Sequence, residues 1–235
     1  MINVALCGYG VMGKVVEQEI RTYDNARLVG IISPRDRKFC ENLDDVNVII
    51  DFSNPANLDF LLKYAKERNS ALMICTTGFN QEQKNKIIEA GEHIPVLLSS
   101  NTSTGINIVR KILKLISNDL SDFEIDIVER HHNKKVDAPS GTAKTLAEDI
   151  RQETGREKIE MHSLRAGTIP GEHTVIFSGI DEIIEIKHTA FSKKIFARGA
   201  IDIALKLVNQ RAGFYTTEEL FDMDGRKNDK IVNIA

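Results

Sequence analysis

Short apolar runs recur through the first hundred residues: INVALC at 2–7, RLVGIIS at 27–33, VNVIIDFS at 46–53, ALMICTT at 71–77 and IPVLLSS at 94–100. Each is too short for a stable helix and rich in Val, Ile or Leu, and the segments between them carry apolar residues at helical spacing. Strands alternating with helices predict a parallel sheet with crossover helices on its faces. Helix starts are marked as well. Asn54 stands before Pro55 as an N-cap before a first-turn proline, and Asn80 is placed to cap the helix read over 81–92.

After Asn101 the rhythm changes. A helix is predicted over 106–120, a strand over 123–130, a helix over 141–155, and strands over 159–166, 173–179 and 181–190. The short turn from Ser178-Gly179 to Asp181 is a hairpin pattern, so this half reads as α+β with a mixed or antiparallel sheet. A long helix over 193–210 follows, and the tail at 213–223 is expected to return to the first half. The expected division is a domain of residues 1–103 completed by 208–235, and a second domain of 104–207. The sequence contains no internal repeat, low-complexity tract or long linker.

Composition narrows the function classes. With 235 residues, 42% hydrophobic and 28% charged, the chain suffices for one large domain or two small ones, each with a core. A net charge of −3 and a pI near 6.1 provide no global basic field for nucleic acid or an anionic membrane, so any anion must be gripped locally. Three cysteines, Cys7, Cys40 and Cys75, are odd in number and widely spaced, which suits a reducing cytoplasm. The N-terminus lacks a basic n-region, and no run approaches the roughly 18 apolar residues of a membrane span. The expectation is a protein neither exported nor inserted.

The first strand runs into Gly8-Tyr9-Gly10-Val11-Met12-Gly13 and then a helix. Gly8 allows a tight turn, Gly10 lets the backbone approach a pyrophosphate, and Gly13 lets helix and strand pack closely, while the helix N-terminus offers N–H groups to phosphate. This predicts a dinucleotide site. An acidic residue that binds the ribose hydroxyls is usual about 20 positions on. Here Ser33 stands at the end of the second strand, with Arg35, Asp36 and Arg37 close behind. The later strand ends Cys75-Thr76-Thr77 and Ser99-Ser100-Asn101-Thr102 are expected to face the same crevice and line a nicotinamide.

One loop concentrates unusual chemistry. Glu129 to Ala143 reads ERHHNKKVDAPSGTA, which sets two histidines and two lysines before a Pro-Ser-Gly-Thr helix start. Ser140, Gly141 and Thr142 there form an anion site suited to a substrate carboxylate. Lys135 adds a charge, and His131 and His132 have ordinary pKa values suited to proton transfer near neutrality. Metal is not expected: adjacent strand histidines point to opposite sides, and no cysteine or H-x-x-x-H pair completes a zinc set.

Together these residues resemble the dihydrodipicolinate reductase family, also called 4-hydroxy-tetrahydrodipicolinate reductase. The loop is similar from Glu129 through His131, His132, Lys135 and the Asp137 to Thr142 turn. So are the glycine turn, DFS at 51–53, TTGF at 76–79, SSN at 99–101, RAG at 165–167, GEHTV at 171–175 and FARGA at 196–200, in order along the chain. The resemblance implies an N-terminal Rossmann-like domain completed by the C-terminal tail and a central substrate and tetramerisation domain. It also implies NADPH- or NADH-dependent reduction of a cyclic dicarboxylate in diaminopimelate and lysine biosynthesis. By position it makes His131 and Lys135 catalytic, and His132, Gly141 and Thr142 substrate-binding. Three departures stand out: a shorter glycine turn with Val11 where arginine is frequent, Cys75 where glycine often precedes TTG, and Ser33 in place of the acidic residue. With that acid replaced, both cofactors are expected to work, NADPH favoured. Two rival readings are a thiol-dependent aldehyde dehydrogenase using Cys75 and a non-enzymatic NAD(H)-binding redox sensor.

Overall fold

A computed structural model describes residues 1–33, 43 and 45–222 of the chain. In chain order the elements are β1 (Ile2–Cys7), α1 (Val11–Ile20), β2 (Ala26–Ile32), β3 (Val48–Asp51), α2 (Leu58–Glu67), β4 (Ala71–Ile74), α3 (Gln81–Ala90), β5 (Pro95–Leu98), α4 (Thr104–Ile116) and β6 (Glu124–His131). They continue with α5 (Gly141–Thr154), β7 (Glu160–Arg165), β8 (Gly171–Ser178), β9 (Ile183–Ala190), α6 (Lys194–Leu207), β10 (Gly213–Tyr215) and α7 (Thr217–Asp222). Two compact units result: Met1–Ser99 with Ala197–Ala235, of which 223–235 lie outside the described residues, and Ser100–Phe196.

The first unit is a six-stranded parallel sheet in the order β10-β5-β4-β3-β1-β2. Its central strands are apolar on both faces because both faces are covered. Val4, Leu6, Val48, Ile50 and Met73 pack with α1, α6 and α7, whereas Ala5, Cys7, Ile49, Leu72 and Ile74 pack with α2 and α3. Strand order reverses beside β1, which has β2 on one side and β3 on the other. At such a reversal the connecting loops leave in opposite directions, and a crevice opens beyond the carboxyl ends of the two strands.

Most helix starts follow the sequence signals. Asn80 caps α3 in a reciprocal capping box with Gln83. At Asn54 the outcome is shorter than expected: its side chain caps a single 3-10 turn, Pro55–Asn57, and α2 begins only after it. The helix read over 106–120 starts earlier, at Thr104, because Ser103 accepts the Ile106 N–H.

The second unit is a four-stranded mixed sheet in the order β7-β6-β8-β9. β6 and β7 run parallel and are joined by α5, while β8 and β9 form an antiparallel hairpin. α4 and α5 cover one face over Ile125, Ile127, Val175 and Phe177. Arg110 of α4 also donates to both oxygens of the buried Asp149 of α5, at 2.6 and 2.8 Å.

Candidate active site

The glycine turn sits at the strand-order reversal, and its three glycines have three separate reasons. Gly8 has φ +90°, and a Cβ there would lie 2.5 Å from the Phe52 carbonyl oxygen, so the turn is pressed against the end of β3. A Cβ on Gly13 would lie 2.3 Å from the Gly8 carbonyl oxygen, so α1 packs directly on the turn. On Gly10 a Cβ would meet no protein atom within 4 Å. Gly10 instead lines a cleft of about 340 Å³ shared with Gly8, Tyr9, Ser33, Phe52 and Ser53. Among the described residues no packing demands glycine at that position, and the lack of a side chain leaves the backbone open to close approach. α1 starts here without a side-chain cap or an acidic residue in its first turn, which leaves its N–H groups and positive dipole end to an anion. Lys14 lies over the Tyr9 ring at 5.8 Å, while the Tyr9 hydroxyl donates to Glu17.

Beside this cleft Asp51 is almost wholly buried at the end of β3. Burial pushes its carboxyl up, opposed by hydrogen bonds from Ser53, Thr76 and Cys7. The Ser53 N–H donates both to Asp51 (3.1 Å) and to the Thr76 hydroxyl (2.8 Å), tying the loops after β3 and β4 together. Cys75 is buried, and burial, with the charge of Asp51 adding to it, pushes its thiol well up. Such a thiol stays protonated and is no nucleophile at neutral pH.

The histidine loop lies in the second unit. Inward-facing positions of β6 are Ile125, Ile127, Glu129 and His131, all buried. Residues i and i+2 share a strand face, so Glu129 and His131 meet, and the Glu129 Oε2 pairs with His131 Nδ1. Arg165, at the end of β7, donates to both Glu129 oxygens at 2.9 and 2.7 Å. The Ser140 N–H donates to Glu129 as well, at 3.2 Å. Arg165 also donates to the Asp137 carbonyl at 2.6 Å, and backbone bonds join Ala166 to His131 and Asn133 to Gly167. These contacts hold the loop against the end of β7.

Ser140 caps α5 by accepting the Ala143 N–H at 3.2 Å, and its hydroxyl meets His173 Nε2 of β8 at 3.0 Å. Its side chain is therefore committed to the cap. Gly141 and Thr142 differ: Gly141 is exposed with nothing within 4 Å of a Cβ, and the Thr142 hydroxyl accepts from Asn101 Nδ2 at 2.9 Å. Their N–H groups precede the first backbone bond of the helix, Lys144 to Ser140. Lys135 donates to Asp137 at 2.7 Å, which holds the Asp137 carboxyl below its ordinary range. His132 follows His131 in the loop and is half-buried.

Charge in this cluster is arranged with opposing signs. Burial works against ionised Glu129, but Arg165, Ser163 and His131 outweigh it and hold the carboxyl at about 2. Burial lowers His131, with Lys135 and Arg165 adding to that and Glu129 opposing it. Burial also lowers His173, to about 4, so that it is neutral at pH 7. Perturbed groups of this kind concentrate where chemistry is done.

Comparison with known proteins joins the two units. A family model described as dihydrodipicolinate reductase, N-terminus, matches residues 2–102, and one described as dihydrodipicolinate reductase, C-terminus, matches 105–221. The chain belongs to the dihydrodipicolinate reductase family. Relatives named 4-hydroxy-tetrahydrodipicolinate reductase are 41% identical in an Exiguobacterium species (94% of this chain, 96% of the relative) and 39% identical in Brachyspira hyodysenteriae (93% and 99%). In fold the chain is similar to a dipicolinate-bound dihydrodipicolinate reductase from Paenisporosarcina sp. TG-14, with TM-score 0.75 and 22% identity over 92% of this chain and 97% of that one. Family membership makes the chain an oxidoreductase on an NAD(P)-binding, Rossmann-like fold. The thiol-enzyme and sensor readings are not favoured, and buried Cys75 argues separately against the first.

Within this reductase family member, the residues picked from the sequence fall into two sets. Gly8, Tyr9, Gly10 and Ser33 line one cleft; Val11, Met12 and Gly13 open α1 beside it; Cys75, Thr76, Thr77 and Ser99 end β4 and β5 in the same unit. Arg35 and Arg37 lie outside the described residues. Ser100, Asn101 and Thr102 belong to the second unit, where Asn101 bonds Thr142 and the Thr102 hydroxyl donates to the Phe196 carbonyl. His131, His132, Lys135 and Ser140 to Thr142 come together at one end of the mixed sheet. Three members of this cluster were not picked as site residues: Glu129, Arg165 and His173. One signal for Glu129 was present, an acid in the inward register Ile125, Ile127, Glu129, His131 of a strand.

Proposed function

We propose that the chain reduces 4-hydroxy-tetrahydrodipicolinate to tetrahydrodipicolinate with NADPH or NADH, NADPH favoured, in diaminopimelate and lysine biosynthesis. The first unit holds the dinucleotide and the second, through its histidine loop, the cyclic dicarboxylate. The observation that carries this reading is the second cluster: a histidine oriented by a buried carboxylate, beside a helix start whose Gly141 is exposed and whose N–H groups precede the first backbone bond of the helix. Support for the cofactor comes from Gly10, where none of the described residues requires glycine, and from the turn and α1 N-terminus around it.

When bound, NAD(P)H supplies the hydride. The chain supplies the rest. Gly8 to Gly13 and the first turn of α1 would grip the pyrophosphate, Ser33 would attend the adenosine ribose, and Cys75 to Thr77 with Ser99 would hold the nicotinamide end. Gly141 and Thr142 offer N–H groups and a hydroxyl to a ring carboxylate, which a helix N-terminus stabilises before and during reaction. Ser140 fixes that helix start, and His132 adds a contact to the substrate. The 4-hydroxyl leaves as water, and the conjugated ring that results needs a proton as well as a hydride. His131 Nε2 provides it, with Lys135 as a second acid that also offsets the developing negative charge. We assign a cytoplasmic homotetramer, in keeping with the family resemblance. Among the described residues no helix is long and apolar enough to cross a membrane.

The direct test follows NADPH and NADH oxidation when the condensation product of pyruvate and aspartate semialdehyde is supplied. Substrate-dependent oxidation with formation of tetrahydrodipicolinate is expected. A folded protein that oxidises neither cofactor under these conditions defeats the assignment.

A further inference from the structure

The reaction needs one histidine nitrogen that gives a proton, and an imidazole has two. What selects between them in His131 lies behind it. Glu129 is fully buried and accepts from Arg165 twice, from the Ser140 N–H and from His131. A carboxylate so surrounded is ionised and can only accept, so His131 Nδ1 must donate to it. Nε2 is then the nitrogen that is bare in the neutral ring and carries the exchangeable proton in the imidazolium. Nε2 faces Gly171 of β8, where an added Cβ would lie 3.2 Å away, so the strand leaves that nitrogen uncrowded only because residue 171 has no side chain.

We infer that Glu129, clamped by Arg165, is the positioning residue that keeps a proton on His131 Nδ1, so that Nε2 is the atom that takes up a proton from solvent and, from the imidazolium, delivers it to the reduced ring. The inference rests on the assignment of His131 as the proton carrier. Every neighbouring element contributes to the field at His131. Glu129 comes from its own strand, Lys135 and its partner Asp137 from the loop, Arg165 from the end of β7, and His173 from β8 with its ring 5.1 Å away, edge-on. α5 contributes the uncharged Ser140, which occupies His173 Nε2 and keeps that ring from competing for the proton. Glu129 favours charged His131, whereas Arg165 and Lys135 disfavour it. The two members of the Glu129–Arg165 pair thus act on His131 in opposite directions. A Glu129 that merely neutralised Arg165 would leave the tautomer of His131 indifferent.

The test is nitrogen-15 NMR of the histidines in the full-length protein, read without substrate, together with steady-state kinetics. Wild type should show His131 with its proton on Nδ1. In Glu129→Gln the His131 titration should move to lower pH, the fixed tautomer should be lost, and kcat should fall about 100-fold or more with KM changed less than about threefold. In Arg165→Gln the titration should move to higher pH, and Arg165→Lys should bring it back. If Glu129→Gln does not fold, Glu129→Asp and the two Arg165 variants carry the same reading. A wild-type His131 protonated on Nε2 alone, or identical His131 titrations in all folded variants, overturns the inference even in a fully active enzyme. A protein with the expected tautomer that reduces no substrate leaves this inference standing and defeats the function proposed above.

Discussion

In the function proposed, the glycine-turn cleft and the histidine cluster have the same task, holding an anionic ligand in place, and use different materials. The cleft is made largely of backbone: a positive-φ glycine against β3, a second glycine within α1 packed on the turn, a third with open space beside it, and a helix start. The cluster is made of side chains from β6, β7, β8 and the start of α5, locked by a buried carboxylate. Backbone sites tolerate a change of charge and fail on a change of shape. Side-chain networks do the reverse, because removing one partner leaves another buried without its bond.

His131→Ala tests the active end of that contrast, and the largest effect is expected here. It should lower kcat by about 10² to 10⁴ while the cofactor KM stays near wild type, because the substitution leaves the glycine turn and the start of α1 untouched. A purified, folded variant of near-normal kcat removes His131 from the chemistry.

Acid separates the units next. His173 has a folded pKa of about 4, below its unfolded value near 6.5. Between those values the unfolded chain takes up a proton that the folded chain refuses. The stability contributed is therefore complete above pH 6.5 and is lost as pH falls toward 4, by about 3 kcal/mol. Glu129, held at about 2, adds a further loss as pH falls from its unfolded range toward 2. Asp51 in the first unit has the opposite sign: its carboxyl is raised, so acid favours its folded form. Hydrogen exchange followed by unit from pH 7 to 4.5 should show the second unit loosening first, and His173→Gln should flatten its dependence. Equal loosening of both units would erase the electrostatic difference between them.

The glycines sharpen the other side. Gly8→Ala forces a side chain into a left-handed turn against backbone and should cost at least about 2 kcal/mol of stability. Gly10→Ala meets no protein atom and should change stability by less than about 0.5 kcal/mol, while raising the cofactor KM about tenfold or more. Denaturant titration beside cofactor kinetics reads both. A Gly10→Ala enzyme with unchanged cofactor KM would place the dinucleotide away from this turn.

The same contrast explains what the sequence made legible. Alternating apolar runs announced the parallel sheet, because strands buried on both faces have no polar register to hide them. The glycine turn was readable because its spacing is local, within six consecutive residues, although the contact of Gly8 with Phe52 emerges only from the fold. Glu129 and His131 share a face by spacing alone, but Arg165 reaches Glu129 only through the parallel register of β6 with β7, and His173 through the antiparallel register with β8. Register between distant strands is decided by packing and leaves no mark in a single short stretch. Ser140 shows the converse. Its place at a helix start was evident, yet that its hydroxyl is taken up by the Ala143 N–H and by His173 emerges only from the fold.

Cofactor choice is the smallest expected effect and the finest test of a backbone site, because it asks what one side chain at the cleft's rim adds. An acidic residue at the end of β2 binds both ribose hydroxyls of NADH and repels the 2′-phosphate of NADPH. Ser33 holds that position and lines the cleft with Gly8 and Gly10, so the repulsion is absent. Lys14, over the Tyr9 ring, places a cation beside the turn. One charge-assisted contact of roughly 1.5 kcal/mol corresponds to about tenfold in favour of NADPH, with both cofactors used. Ser33→Glu should swing kcat/KM toward NADH by at least that factor, with the histidine cluster and its pH profile unchanged. A wild-type enzyme that already prefers NADH would mean that no cation reaches the 2′-phosphate and that the backbone cradle alone sets the choice.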